Sequence, residues 1–212
     1  MNRVRATFLD ASAVSIDLLA MPEVEAKWDE PSALAQWSVS GLAGHLVRAT
    51  TSAETYLDAD PDPLGEPVSV GAYYEGALVS TDLDSDEHRA IRARGDEMAA
   101  AGIKALRANH KAAAERLRER LESEADTRNV RVFRDLVMLL DDYLVTRIAE
   151  LTCHIDDLAV SVGVPTPQIP LAALDTSVRA LVSIARHRHG DLAVIRAFAR
   201  RERAAPDTLR VF

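Results

Sequence analysis

The stretch YLVTRIAELTCHIDDLAVSVG, residues 143–163, carries two rows of side chains at the three- and four-residue spacing of an α-helix. The apolar row consists of Leu144, Ile148, Leu151, Ile155, Leu158 and Val162. The second row is mostly charged and consists of Tyr143, Arg147, Glu150, His154 and Asp157. The rows are neighbours, since His154 lies only about 40° from Leu158 around a helix. Helix bundles build metal or ligand sites from such rows, whereas a surface helix would leave them as solvated boundary charges.

The chain around this stretch lacks the residues that interrupt helices. Prolines are absent from residues 68–164, and glycines are absent from residues 103–162. Because both residue types interrupt helices, we expect four long helices. Their predicted spans are about 3–20, 38–57, 86–124 and 131–163. Pro22 closes the first helix, Ser38 caps the second, and Gly163 stops the fourth.

Shorter segments complete the expected architecture. They are a loop at 58–67, a short helix at about Tyr73–Val79, and two C-terminal helices at about 171–188 and 191–204. We therefore expect an all-α fold, in which residues 1–167 form an up-down four-helix bundle. Residues 168–212 form a helical C-terminal extension packed on the bundle, so that the whole is a single domain.

Composition excludes several classes of protein. The 212 residues are 48% hydrophobic and 5% aromatic, with a net charge of −8, which disfavours a dedicated nucleic-acid binder. Residues 168–212 are basic, with eight arginines against four acidic residues, and we expect them to pack on the acidic body. A single cysteine excludes an internal disulfide framework. No stretch is long and apolar enough to span a membrane, and the N-terminal segment carries Asp10 and Asp17, so we expect a cytoplasmic protein.

Three residues are candidate metal ligands. Glu150 and His154 are four residues apart, which places both side chains on one face of a helix. A carboxylate and an imidazole suit zinc, or another divalent ion such as nickel or iron. His45, on the core face of the second predicted helix, is the third candidate. The alternative is that His45 is a core histidine with its hydrogen bonds satisfied, and that the Glu-x-x-x-His pair occurs by chance.

Two blocks of sequence resemble a known family. The first is WDEPSALAQWSVSGLAGHL, residues 28–46, and the second is RIAELTCHIDDL, residues 147–158, followed by Gly163-Val-Pro165. The C-terminal run RAFARRERA, residues 196–204, also looks like the tail of short family members. These blocks are similar to the mycothiol-dependent maleylpyruvate isomerase N-terminal family, in the DinB-like superfamily. The isomerase carries an additional C-terminal domain, and we expect this chain to be a short member without it.

The resemblance implies a function as well as a fold. It implies a DinB-like four-helix bundle in which His45, Glu150 and His154 hold a divalent metal, with Asp157 orienting the imidazole of His154 or a bound water. We expect a metal- and mycothiol-dependent S-transferase or isomerase that acts on a small electrophile, with Arg147 and Asp157 as candidate catalytic residues. A metal-dependent hydrolase and a non-catalytic interaction or regulatory protein are the alternatives. The expected partners are the thiol and the electrophile, and a homodimer is left open.

The other reactive or charged features have simpler interpretations. Cys153 is about 100° around the helix from His154, so we expect a buried, inert thiol. Arg186-His-Arg-His-Gly190 is typical of a helix C-terminus, where cations face the negative end of the helix dipole. We expect His88 and His110 to be solvated on a charged helix. Arg147 has two equal interpretations, an anion-binding residue or a partner of Glu150, and Arg48 is a weaker anion-binding candidate.

Overall fold

The computed structural model describes residues 1–60, 63–77, 82–203, 205 and 208–211. Within this part of the chain the secondary structure is helical apart from one small antiparallel sheet. The helices are α1 (Arg3–Leu19), α2 (Pro22–Ala26), α3 (Val39–Ala59), α4 (Val70–Ala77), α5 (Asp86–Ala99), α6 (Ile103–Ser123), α7 (Leu140–Val162), α8 (Leu171–His189) and α9 (Asp191–Ala199). The strands are β1 (Asn129–Arg131) and β2 (Val137–Leu139). Val79 and Ala204, the expected ends of two predicted helices, lie outside the described residues.

The bundle helices are α1, α3, α6 and α7, and each packs along its sides against two of the others. The six apolar residues predicted for α7 are all buried, which confirms the stripe. The side chain of Ser38 accepts a hydrogen bond from the backbone N–H of Gly41, so the predicted N-cap of α3 is also confirmed. The fold is therefore an all-α, DinB-like four-helix bundle, as expected.

Contacts between helices fix their directions. Arg5 of α1 meets Leu121 at the end of α6, whereas Thr50 and Glu54 of α3 meet His110 and Arg116 of α6 in ascending order. Helix α3 therefore runs in the same direction as α6, and α1 and α7 run in the opposite direction, so the four helices do not alternate in direction along the chain as the expected up-down order requires. Because α3 and α6 are parallel, the chain between them must return along the bundle. That connection carries α4 and α5, and α4 packs against α7 and α8.

Two predicted helix spans were wrong. Residues 86–124 form two helices, α5 and α6, because Gly102 has a φ of +84° and ends the helical path between them. Residues 131–139 are not the start of the last bundle helix. They belong to the β1–β2 hairpin, whose loop contains Arg134 and Asp135, each with a φ of +59°. Helix α7 begins only at Leu140.

The expectation that His110 is solvated was also wrong. His110 lies on the charged helix α6 but is fully buried against α1 and α3. Its Nε2 lies 3.0 Å from Oγ1 of Thr50, which is itself 3.0 Å from Oγ of Ser12. Burial lowers the pKa of His110 to about 4, so the ring is neutral near pH 7. Small polar residues on the neighbouring helices supply this polar environment inside the core. His88 is half-buried.

Helices α3 and α5 approach each other closely through glycines. A Cβ atom on Gly44 would lie 2.0 Å from the carbonyl oxygen of Gly95, a distance that no side chain can occupy. Gly41 faces α5 in the same way, with Asp96 as its nearest neighbour. Through this close contact, α5 packs directly against the first half of α3, which carries His45.

The C-terminal helices follow the bundle. Helix α8 packs against α7 and α4, and α9 packs against α8. Gly190, with a φ of +81°, ends α8 directly after the basic Arg186–His189 segment, as the sequence predicts. The proposed division at residue 167 stays a prediction. Among the described residues, none of the helices is both long enough and apolar enough to cross a membrane.

Candidate metal centre

Three of the predicted site residues meet between α3 and α7. Oε2 of Glu150 lies 3.4 Å from Nε2 of His45 and 3.3 Å from Nε2 of His154. One donor atom from each of the three residues lies within 4.8 Å of the other two. Their side chains are 13–19% exposed, so the group is largely shielded from solvent. The structure thus brings together residues that are 105 positions apart in the sequence.

The separations fit a divalent ion. Nitrogen and oxygen ligands around a tetrahedral zinc ion, with bonds of about 2.0–2.2 Å, are about 3.4 Å apart. The distances from Oε2 of Glu150 to the two histidine nitrogens match this edge length. Two neutral imidazoles and one carboxylate also give a donor set that borderline divalent metals prefer. The residues present therefore fit a metal ion with coordination positions to spare.

The pKa values of Glu150, His45 and His154 are shifted by burial and by their mutual contacts. Burial alone would raise the pKa of Glu150, but hydrogen bonds from His154 and His45 and the charge of Arg147 hold it well below its ordinary value. Burial lowers the pKa of His45, and it outweighs the opposing effect of Glu150. For His154, burial is outweighed by Asp157 and Glu150, which raise its pKa to about 9. The proton on Nε2 of His154 thus lies between this nitrogen and Oε2 of Glu150, and a metal ion bound by both atoms would replace it.

The two histidines are oriented differently. Nδ1 of His154 lies 2.9 Å from Oδ2 of Asp157, one turn further along α7. This contact fixes the ring so that Nε2 points at Glu150. His45 has no such hydrogen bond, because its Nδ1 is buried without a partner among the described residues. Its ring packs instead against Trp37, with centroids 5.1 Å apart, and edge-on against His154 at 4.8 Å.

A fourth contact, from Tyr74 of α4, was not predicted from the sequence. The hydroxyl of Tyr74 donates to Oε1 of Glu150 at 2.9 Å and also lies 3.2 Å from the carbonyl oxygen of Thr146. Tyr74 is almost completely buried, and burial raises the pKa of its hydroxyl, which therefore stays a donor. One carboxylate oxygen of Glu150 is thus held by Tyr74, while the other faces the two histidines. The sequence offers no signal for this contact, because α4 reaches α7 only through the fold.

Arg147 lies beside Glu150, as one of its two interpretations requires, and anion binding by Arg147 stays a prediction. Its guanidinium lies 4.0 Å from Oε1 of Glu150, a loose ion pair. It also lies over the rings of Tyr143 and Tyr73, at 4.9 and 5.9 Å from their centroids. The side chain is only 12% exposed. Arg147 therefore lies beside the metal ligands, with its charge only partly compensated.

The remaining candidates lie elsewhere or face away. Burial, together with the charges of Glu150, Asp157 and Asp156, raises the pKa of the Cys153 thiol to about 12, so it is protonated near pH 7. His187, from the basic end of α8, lies 2.6 Å from a carboxylate oxygen of Glu75. It is therefore engaged in a surface contact with Glu75 and not in the centre between α3 and α7.

Comparison with known families agrees with this geometry. The profile of the family described as mycothiol maleylpyruvate isomerase N-terminal domain matches residues 8–159, more than two thirds of the chain. The matched range contains all of α3 and α6, most of α1 and α7, and all three donor residues. No curated protein matches the chain, and no solved structure does so either. The chain belongs to the mycothiol maleylpyruvate isomerase N-terminal domain family.

Proposed function

We propose that the chain is a divalent-metal-dependent enzyme that uses a low-molecular-weight thiol, mycothiol, either to attach that thiol through its sulfur to a small electrophile or to isomerise the electrophile. The observation that carries the proposal is the His45–Glu150–His154 group, with its donor atoms within 4.8 Å, in a chain of this family. Three protein ligands leave coordination positions open, which is the arrangement of catalytic and not of structural zinc sites.

The proposal divides the residues of the centre into metal ligands and supporting residues. His45, Glu150 and His154 hold the ion, which we propose to be zinc, with nickel or iron as alternatives. When bound, a divalent ion lowers the pKa of a thiol and so supplies a thiolate near neutral pH. Asp157 orients His154, and Tyr74 holds the second oxygen of Glu150. Arg147 lies where it can meet an anionic part of a substrate.

The proposed chemistry needs no nucleophile from the chain itself. The external thiol loses its proton, and its sulfur forms a bond to the electrophilic carbon. In transfer, a leaving group departs with the electron pair or the adduct takes up a proton. In isomerisation, the sulfur is expelled again after rotation about the carbon–carbon bond.

Thiol dependence and the cysteine variant test this proposal together. Turnover of small electrophiles by the metal-loaded protein should require added mycothiol, and the Cys153→Ser variant should keep nearly full activity. Cys153 is offset by about 100° from His154 around α7, so it should not reach an ion that His154 binds. Loss of turnover in Cys153→Ser with unchanged metal content would contradict the proposal.

A hydrolase is the second candidate, because the same open position suits activation of water. Hydrolytic turnover that persists without any thiol would favour it. A metal-loaded protein without turnover on electrophiles or hydrolysable substrates would instead favour a non-catalytic role.

A further inference from the structure

The contact between helices α3 and α7 extends beyond the metal centre. The row on α3 consists of His45, Arg48, Ser52 and Tyr56, and the antiparallel row on α7 consists of His154, Glu150, Arg147 and Tyr143. At one end, His45 meets Glu150 at 3.4 Å. At the other end, the hydroxyl of Tyr143 donates to Oγ of Ser52 at 2.8 Å. Arg48 and Arg147 lie between these two contacts, so they occupy the same middle level of the interface.

These arginines carry positive charge that the fold does not balance. Arg48 is half-buried and makes no ion pair with a carboxylate among the described residues. Its pKa is lowered first by burial and then by the positive charge of Arg94 on α5, with Arg147 adding to the effect. The nearest carboxylate to Arg147 is Glu150, at 4.0 Å, which already faces two histidines. A divalent ion at Glu150 would add further positive charge.

Such a cluster is costly for the fold unless an anion neutralises it. Placing like charges together in a partly buried interface destabilises a protein, and a bundle core can use apolar residues instead. Guanidinium groups bind carboxylates and phosphates through paired hydrogen bonds, and burial strengthens those bonds. The cluster therefore has the chemistry of an oxyanion site beside the metal centre.

We propose that Arg48 and Arg147 bind an oxyanion group, a carboxylate or a phosphate, of the electrophilic substrate. This inference rests on the proposed function and specifies its substrate class. Arg48 follows His45 by three residues, and Arg147 precedes Glu150 by three, a rise of about 4.5 Å along each helix. The substrate is thus an electrophile that carries an oxyanion group. The rings of Tyr73 and Tyr143 flank Arg147 and orient its guanidinium.

Ligand-induced thermal stabilisation at low ionic strength tests the site directly. Succinate and inorganic phosphate serve as oxyanion probes, and succinamide serves as a neutral control. We expect the melting temperature of the metal-loaded protein to rise saturably with one or both anions and not with succinamide. In Arg48→Gln the apparent Kd should increase at least tenfold, while the metal content stays unchanged. The larger response among the two probes identifies the oxyanion.

Matched variants keep the result interpretable. Arg179→Gln removes an exposed arginine that pairs with Asp175 on α8, and it should bind the probes like the wild type. Arg48→Lys keeps the charge without the planar fork, and it should bind with intermediate affinity if Arg48→Gln folds poorly. Without any probe, Arg48→Gln should melt no lower than the wild type, because it relieves repulsion from Arg94 and Arg147.

The outcomes separate this inference from the proposed function. A folded Arg48→Gln that binds both anions as tightly as the wild type overturns the oxyanion site and leaves the metal centre untouched. Equal stabilisation by succinamide also overturns it. If the wild type binds no metal but its anion binding still depends on Arg48, the oxyanion site stands and the metal-dependent function fails.

Discussion

At the scale of single residues, the centre is organised around the two oxygens of Glu150. Oε2 faces the histidines, whereas Oε1 accepts a hydrogen bond from Tyr74 and lies beside Arg147. His154 is held by Asp157, and His45 is held by packing against Trp37. The orientation of the donor atoms thus depends on residues from α4 and the segment before α3, in addition to the two ligand-bearing helices.

Tyr74→Phe should weaken metal binding without unfolding the protein. The change removes the hydroxyl that fixes Oε1 of Glu150, and losing such a supporting hydrogen bond costs roughly 10- to 100-fold in metal affinity. Calorimetric titration with Zn²⁺ measures the effect, with circular dichroism as the check on folding. Tyr73→Phe is the matched control, since the hydroxyl of Tyr73 lies 3.5 Å from Arg147 and its described contacts do not include Glu150. Equal affinities of Tyr74→Phe and wild type would remove Tyr74 from the centre.

His110 should make the fold sensitive to acid. Its pKa falls from 6.5 to about 4 on burial, so between these values the unfolded chain binds a proton that the folded protein does not. The stability is complete above pH 6.5 and is lost as the pH falls toward 4. From pH 7 to pH 5, the wild type should lose about 2 kcal/mol more than His110→Gln. Urea unfolding at both pH values measures this difference, and parallel losses in the two proteins would contradict the explanation.

At the scale of elements, the close contact of α3 with α5 supports the half of α3 that carries His45. Gly44 and Gly95 allow two backbones to touch where any side chain would force them apart. Helix α5 buries few large side chains of its own, so this glycine contact accounts for much of its docking. The position of Arg94 near Arg48 depends on the same contact.

Gly44→Ala should therefore destabilise the protein by roughly 3 kcal/mol, because the new methyl group meets backbone atoms that cannot rotate away. Its Cβ would lie 2.0 Å from the carbonyl oxygen of Gly95 and 3.2 Å from the amide nitrogen of Ala99. Gly76→Ala is the matched control within α4, where the nearest atom is 3.3 Å away on the flexible side chain of Leu136. That control should change the free energy of unfolding by less than about 1 kcal/mol. Similar stabilities of the two variants would show that α3 and α5 can separate freely.

The sequence predicted correctly those features that depend on residues within one helix. The Ser38 cap and the apolar row of α7 depend on spacing within one segment, and both are confirmed. The break before α6 was missed because one glycine in a helical pattern is usually tolerated. The β1–β2 hairpin was missed because each strand has only three residues. The burial of His110 and the contact of Tyr74 depend on neighbours from distant segments, which no local pattern reports.

At the scale of the whole molecule, folding and metal binding should be separable. The bundle buries a continuous apolar core that runs through α1, α3, α6 and α7. Arg5 joins the ends of α1, α6 and α7. Its guanidinium donates hydrogen bonds to the carboxylate of Asp141 and to three carbonyl oxygens at the end of α6, those of Leu121, Glu124 and Ala125. These interactions do not involve His45 or Glu150. The chain differs in this respect from zinc fingers, which have no core without their metal.

Chelation of the bound metal should thus abolish activity while leaving the helical circular dichroism nearly unchanged at room temperature. The core supplies most of the folding free energy, and a single ion adds only its binding free energy to the folded state. The melting temperature should fall by several degrees and recover when metal is restored. Cooperative unfolding on chelation would mean that the metal is structural.

The most direct test of the account is the metal stoichiometry of the purified protein and of its ligand variants. Dialysis against Zn²⁺ followed by elemental analysis should give one ion per wild-type chain. His45→Ala and His154→Ala should each lose stoichiometric binding, while Cys153→Ser should keep it. A wild type that binds no ion, or a double histidine variant that still binds one ion per chain, would contradict the assignment of His45, Glu150 and His154 as the metal ligands.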